Sequence, residues 1–266
     1  MFEITPPTFV IDFSDLFCDR FLADFLMYYT KHHPRLADPN KTRMEYLTYF
    51  KSLINGTGEK QKPLSNKYCV YNMCKSYMDE RNSYLWLLKP TSLNRGRGVR
   101  VFSDLQTLKD YLKEYTQGFT EKVGKDSKDQ NYIKTDAFVI QKYIERPMLI
   151  SERKFDIRTW VLVDHLNNLY FFDQGYVRMS SEKYDSSTNS ISNPLIHLTN
   201  NAVQKHGSNY CKFESGNQLS FPALEKCIKE NYAAAVAALP NDGASIFVVT
   251  QLTTAMSSSR GTSNGG

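Results

Sequence analysis

Residues 137–160, AFVIQKYIERPMLISERKFDIRTW, constrain the fold more than any other part of the chain. An apolar run ending in Gln141, Lys142, Tyr143 and Ile144 passes through Pro147 into a second strand-like run. The second run carries Lys154, Asp156 and Arg158 at alternate positions. Side chains on a strand alternate between faces, so these three charges are predicted to point the same way. Two cations around one carboxylate suit a polyphosphate with its metal ion. They suit an exposed, salt-bridged strand face equally well, and this segment alone leaves both open.

A chain of 266 residues can bury one large core or two modest ones. With 41% hydrophobic and 13% aromatic residues it reads as globular rather than disordered. Its net charge of +5, with a pI near 8.8, favours an acidic partner: a carboxylate-rich tail, a nucleotide or nucleic acid. The five cysteines are scattered, with no CxxC pair and no four-ligand Cys/His cluster of the structural-zinc kind. His32-His33, followed by Pro34, reads as a loop pair. The opening MFEITPPTFV lacks the basic start and apolar core of a signal peptide. No apolar run reaches the roughly 18 residues of a membrane span, so a cytoplasmic protein with reduced thiols is expected.

Periodicity predicts a helix over 15–31, with Leu16, Phe17, Phe21, Leu22, Phe25 and Leu26 on one face. The two prolines of HHPRLADPNKT break it, and a second helix over 44–53 stops at Asn55-Gly56-Thr57-Gly58. A buried strand over 84–88 ends at Lys89-Pro90, a further strand covers 99–102, and Asp104 caps a helix to about residue 115. Residues 117–136 and 180–194 read as polar loops. Strands are expected over 137–144, 155–163 and 169–178, the last two joined by a tight turn at Asn167-Asn168. A helix over 223–239 and an apolar run over 245–252 precede a low-complexity ending, SSSRGTSNGG.

Two further motifs carry chemistry. In LWLLKPTSLNRGRGVR (85–100), glycines let backbone amides approach an anion closely while arginines add forked donors. Strand–loop–strand is the geometry of a flap over phosphates, but a basic hairpin or an RGG-like nucleic-acid contact reads the same. In IHLTNNAVQKH (196–206), Thr199 and Asn200 supply a hydroxyl and an amide for a ribose or a phosphate. They could equally be a helix cap and its neighbour. Ahead of them, GYVR (175–178) ends a strand on Arg178.

In their order and spacing, Lys89-Pro90, RGRG, QKYIERP, KFDIR, GYVR and HLTNN resemble the tubulin tyrosine ligase-like family over residues 80–220. QKYIERP together with HLTNNAVQKH is most similar to its glycine ligases. The resemblance implies an α/β, ATP-grasp-like fold of antiparallel sheets with flanking helices. It divides the chain into a helical region (1–80), an ATP-grasp domain (81–243) with an incomplete C-terminal lobe, and a disordered or aberrant tail (244–266). The implied activity is an ATP-dependent ligase that joins an amino acid, glycine favoured, to glutamate side chains of tubulin through an acyl phosphate. Lys89 and Lys142 would contact the ATP phosphates under a flap containing Arg95 and Gly96. The backbone of Gln141, Lys142, Tyr143 and Ile144 would hold adenine as a hinge. Lys154, Phe155, Asp156, Thr199 and Asn200 would complete the ATP site. Arg158 and Arg178 would serve the reacting centre. Such chemistry places cations where charge develops.

The resemblance also implies partners and a place. ATP, a free amino acid, Mg2+ and the acidic tails of tubulin or microtubules are expected, with no nucleic acid and no membrane. The cytoplasmic microtubule cytoskeleton, cilia included, is the implied location. The chain departs from the family at its magnesium ligands, an Asp and a Glu-x-Asn, which it lacks: no acidic residue follows Asp242. That departure leads us to expect a truncated chain that does not ligate at a useful rate. A tubulin glutamate ligase and a catalytically silent, tubulin- or nucleotide-binding relative stand as the alternatives.

Overall fold

The computed structural model describes residues 6–33, 35–53, 84–122, 130–187 and 189–237. Its first part holds strand β1 (Thr8–Asp12), helices α1 (Cys18–His32) and α2 (Pro39–Leu53), and strands β2 (Trp86–Pro90) and β3 (Arg100–Phe102). Helix α3 (Leu105–Gln117), the paired strands β4 (Phe119–Lys122) and β5 (Gln130–Ile133), and strand β6 (Ala137–Lys142) follow. The four strands of the first sheet run in the order β1-β6-β2-β3, every pair antiparallel.

Register decides which side chains this sheet sends to each face. Phe9 and Leu88 both lie opposite Ile140, and Trp86 lies opposite both Lys142 and Phe102. That row faces α1 and α3, which contribute Leu22, Phe25, Leu26, Leu108, Leu112 and Tyr115 to one aromatic-rich core. Trp86 meets Phe25 and Tyr28 edge-on at centroid distances of 5.4 and 5.9 Å. Such burial, about 25 cal/mol per Å² of apolar surface, holds the helices to the sheet. The opposite face carries Thr8, Leu87, Lys89, Val139 and Gln141.

The second part holds β7 (Leu149–Ile150), β8 (Arg153–Arg158), β9 (Val161–Val163), β10 (Leu169–Phe171) and β11 (Tyr176–Lys183). Short helices α4 (Pro194–His197) and α5 (Asn201–Gln204), strand β12 (Gln218–Ser220) and helix α6 (Phe221–Ala237) complete it. The second sheet runs β12-β11-β8-β7, again antiparallel. Ile150, Val177, Met179 and Leu224 of α6 form its core. A third cluster, Leu85, Val101 and Tyr143 with Tyr184 and Ile191, joins the two sheets.

The architecture is a mixed α/β one with antiparallel sheets, as the sequence implied, and several local expectations need correction. Residues 8–12, inside the stretch read as helical, form β1 and hydrogen-bond to β6, so the first sheet draws on both sides of residue 80. Strands β4 and β5 pair across the stretch 117–136 read as loop. Strand β11 runs to Lys183, into the stretch 180–194 also read as loop. The strands expected over 155–163 and 169–178 each divide, because β8 and β11 pair in one sheet while β9 and β10 form their own hairpin. Its turn spans residues 164–168 and is organised by Asp164, which accepts from the amides of Leu166 and Asn168 at 2.8 and 2.9 Å. The expectations for residues 55–58 and 244–266 lie outside the described residues. Among the described residues no helix is long and apolar enough to cross a membrane.

Candidate nucleotide site

The face of the first sheet turned away from its helices starts the site. Lys89 on β2 donates to Gln141 Oε1 at 2.6 Å, and Gln141 Nε2 donates to Thr8 Oγ1 at 2.8 Å. The glutamine amide is thereby oriented, with its oxygen on the lysine. Burial pulls the Lys89 pKa below the ordinary lysine value.

Lys142 does not join it, and the expectation that its ammonium touches phosphate is corrected. One residue on from Gln141, it falls on the core face opposite Trp86. Its Nζ is fully buried, donates to the Leu85 carbonyl at 2.7 Å and is ion-paired with Glu145. Glu145 also accepts the Leu85 amide, so the pair staples the segment after β6 onto the start of β2. Tyr143 is buried, its amide donating to the Leu85 carbonyl at 3.1 Å, while Ile144 is 39% exposed.

Strand β8 supplies the other wall. Lys154 and Asp156 share a face, as alternation predicts, whereas Phe155 points to the opposite side and packs on the core beneath α6. The Phe155 side chain is therefore removed from the candidate ATP contacts. Lys154 Nζ donates to the Tyr143 hydroxyl at 3.1 Å and to the His197 carbonyl at 3.0 Å. Its pKa is lowered to about 8, chiefly by burial, with Asp156 opposing the shift and Lys89 adding to it. Asp156 is gripped by Arg178, its cross-strand partner, through Nε at 2.7 Å and Nη2 at 2.8 Å. Thr199 Oγ1 donates to the second carboxylate oxygen. Its hydrogen bonds to Asp156 hold Arg178 above its ordinary pKa. Arg158 lies further along β8, exposed and without an ion pair among the described residues.

The glycine-rich loop packs against the start of α5. Arg95, Gly96 and Gly98 all have positive φ, at 59°, 82° and 65°. A Cβ on Gly96 would stand 2.8 Å from Asn200 Oδ1 and 3.2 Å from Val203 Cγ2, so glycine allows both the left-handed turn and the close approach. Asn200 occupies the N-cap position of α5 without capping it, and its side chain meets the loop instead. Two motifs more than 100 residues apart thus meet.

Two residues of the site region, His197 and Gln204, escaped the sequence reading as contributors, as did the part played by the Tyr143 hydroxyl. His197 and the Tyr143 hydroxyl hydrogen-bond at 2.9 Å. Buried Gln204 donates to the carbonyls of Leu195 and Leu198 and accepts the Ser181 amide at 2.7 Å, locking the α4–α5 turn onto β11. The only signal was their place inside motifs read for other residues. A magnesium ion finds no donor set here: among the described residues no three His, Cys, Asp or Glu side chains stand together. Both Asp156 oxygens are already engaged, by Arg178 and Thr199. The residues present do not fit the ion.

Comparison with known proteins bears on this geometry. Residues 40–260 match the Tubulin-tyrosine ligase family. Tubulin glycylase 3D of Tetrahymena thermophila is 40% identical over 123 residues, 46% of this chain and 10% of that protein. Tubulin glycylase 3B of the same organism is 35% identical over 148 residues, 55% of this chain and 11% of that protein. Tubulin monoglycylase TTLL3 of Danio rerio is 32% identical over 136 residues, 50% of this chain and 15% of that protein. The alignments thus span a small part of each relative's length. With the family match extending over most of its residues, the chain belongs to the tubulin-tyrosine ligase family.

Proposed function

We propose that the protein is an ATP-dependent ligase of ATP-grasp type that joins an amino acid, glycine in preference, to glutamate side chains of tubulin. The observation that carries this reading is the closeness of Lys89 and Lys154, from two different sheets, with Lys154 beside the Asp156–Arg178 pair and Gly96 of the loop against Asn200. Two partly desolvated ammonium groups at one opening are costly unless they meet anionic charge. A triphosphate supplies it. Adenine lies along the backbone of residues 141–144, Arg95 and Gly96 cover the phosphates, and Thr199 and Asn200 border the ribose–phosphate end.

In the reaction, a glutamate carboxylate oxygen of tubulin takes the γ-phosphoryl group and ADP leaves. The amine of the incoming amino acid then attacks the acyl carbon, phosphate departs with the carbon–oxygen bond pair, and the nitrogen gives up a proton. Arg178 stabilises the negative charge that develops on the acyl phosphate, and exposed Arg158 meets the acidic substrate segment. The names of the relatives, all tubulin glycylases or monoglycylases, support glycine and tubulin. The setting is the microtubule cytoskeleton, cilia included.

Incubation with ATP, purified tubulin and radiolabelled glycine or glutamate tests the reading. Glycine should enter tubulin only with ATP present, and Arg178→Ala should abolish it. Preferential entry of glutamate would overturn the amino-acid assignment. ATP binding without incorporation would favour a nucleotide-dependent tubulin binder.

A further inference from the structure

We propose that Tyr143 and His197 are positioning residues for Lys154, a directed chain of hydrogen bonds that holds its ammonium at the opening between the sheets. The inference rests on the reading of Lys154 as a phosphate contact and adds what keeps it there.

The direction of the chain follows from its far end. The Ser190 carbonyl can only accept, and it stands 3.1 Å from His197 Nε2, so that nitrogen carries the proton. Neutral His197 then has a bare Nδ1, which accepts from the Tyr143 hydroxyl at 2.9 Å. With its proton committed, the Tyr143 oxygen turns its lone pairs to Lys154 Nζ at 3.1 Å. The His197 carbonyl gives the same ammonium a second acceptor at 3.0 Å. Lys154 Nζ also sits 4.4 Å from the Tyr143 ring centroid. Two of the three ammonium hydrogens are thereby fixed, and the third is left for a ligand.

The imidazole is 2% exposed, and burial lowers its pKa to about 4, with Lys154 acting the same way. The Ser190 carbonyl and Asp185 oppose this shift. Asp156 and Lys89 face Lys154, Glu145 faces Tyr143, and Tyr184 shares a side-chain hydrogen bond with Tyr143. Between about pH 4 and pH 8, where the lysine is charged and the imidazole neutral, His197 therefore remains an acceptor. A protonated imidazole would reverse the tyrosine hydroxyl and set its hydrogen against the ammonium.

Nitrogen-15 NMR of lysine side chains, with the Lys154 signal assigned through Lys154→Met, measures the Lys154 titration midpoint without nucleotide. In parallel, calorimetry measures ATP affinity. Tyr143→Phe should lower the midpoint by about one pH unit, a tenfold loss of proton affinity, and weaken ATP binding about tenfold. His197→Phe should do the same. His197→Asn, which can place an oxygen near the Nδ1 position, should recover most of both. A merely structural pair would lower the unfolding midpoint and leave the Lys154 titration in place.

If Tyr143→Phe does not fold, the two His197 variants decide by the same readouts. An unchanged Lys154 midpoint in the phenylalanine variants would overturn the proposal, as would a shifted midpoint with unchanged ATP affinity. Should the wild-type protein fail to bind ATP, the nucleotide reading falls, and the midpoint shift still decides whether the hydrogen-bond chain exists.

Discussion

Lys154 shows how one residue couples burial to function. Its folded pKa of about 8 lies below the ordinary lysine value of 10.5, chiefly through desolvation. Between those two values the unfolded chain binds more protons than the folded one, so this group makes stability rise with pH across that window. Below pH 8 both states hold the proton and the cost of burying the charge stands in full. Nucleotide affinity should move the other way. As pH rises through about 8, Lys154 loses the charge proposed to meet phosphate, and ATP binding should weaken. In Lys154→Met the pH dependence over that interval should largely disappear. Fluorescent-nucleotide titrations from pH 6.5 to 9 check this, and a wild-type affinity flat across pH 8 would count against the assignment.

Among the elements, strand β6 and the turn that follows it carry most of what sequence reading found and what it lost. Alternation along QKYIERP and KFDIR placed Lys154 and Asp156 on one face, because that periodicity is local. Lys142 was misplaced because its face depends on pairing with Trp86, 56 positions earlier. Strand β1 was missed for a related reason, its partner β6 lying far along the chain, whereas β4 and β5 pair locally and were missed because each is only 4 residues long. Helix α3 was legible, since Asp104 accepts the Thr107 amide at 2.8 Å and Leu105, Leu108, Leu112 and Tyr115 follow at helical spacing. The buried Lys142–Glu145 pair yields an element-level prediction. Lys142→Ala should cost about 3–5 kcal/mol of folding stability, the range for stranding one partner of a buried pair. Urea unfolding measures that loss. ATP affinity of the folded fraction should change far less than in Lys154→Met, and the reverse ranking would return Lys142 to the phosphate site.

At the scale of the whole molecule, two antiparallel sheets meet along the Leu85–Val101–Tyr143 cluster, and each contributes a lysine, Lys89 and Lys154, close enough to interact. The motifs announced the family, but the meeting of Gly96 with Asn200 could be read only from the fold. A net charge of +5 and the exposed Arg158 fit an acidic tubulin tail as partner. Exposed charge pairs are screened over about 8 Å at physiological ionic strength, so co-sedimentation with microtubules should weaken as salt rises. Proteolytic removal of the tails should abolish it, and unchanged pelleting would exclude them as the docking element. The central claim is that ATP binds between the sheets through Lys89 and Lys154. Calorimetric titration of ATP into the wild-type protein and into Lys154→Met tests it most directly. The account predicts saturable wild-type binding, weakened by about 1.5–3 kcal/mol in the variant, the range for hydrogen bonds to charged groups. Equal affinity of the two proteins, or no saturable binding to either, would contradict it.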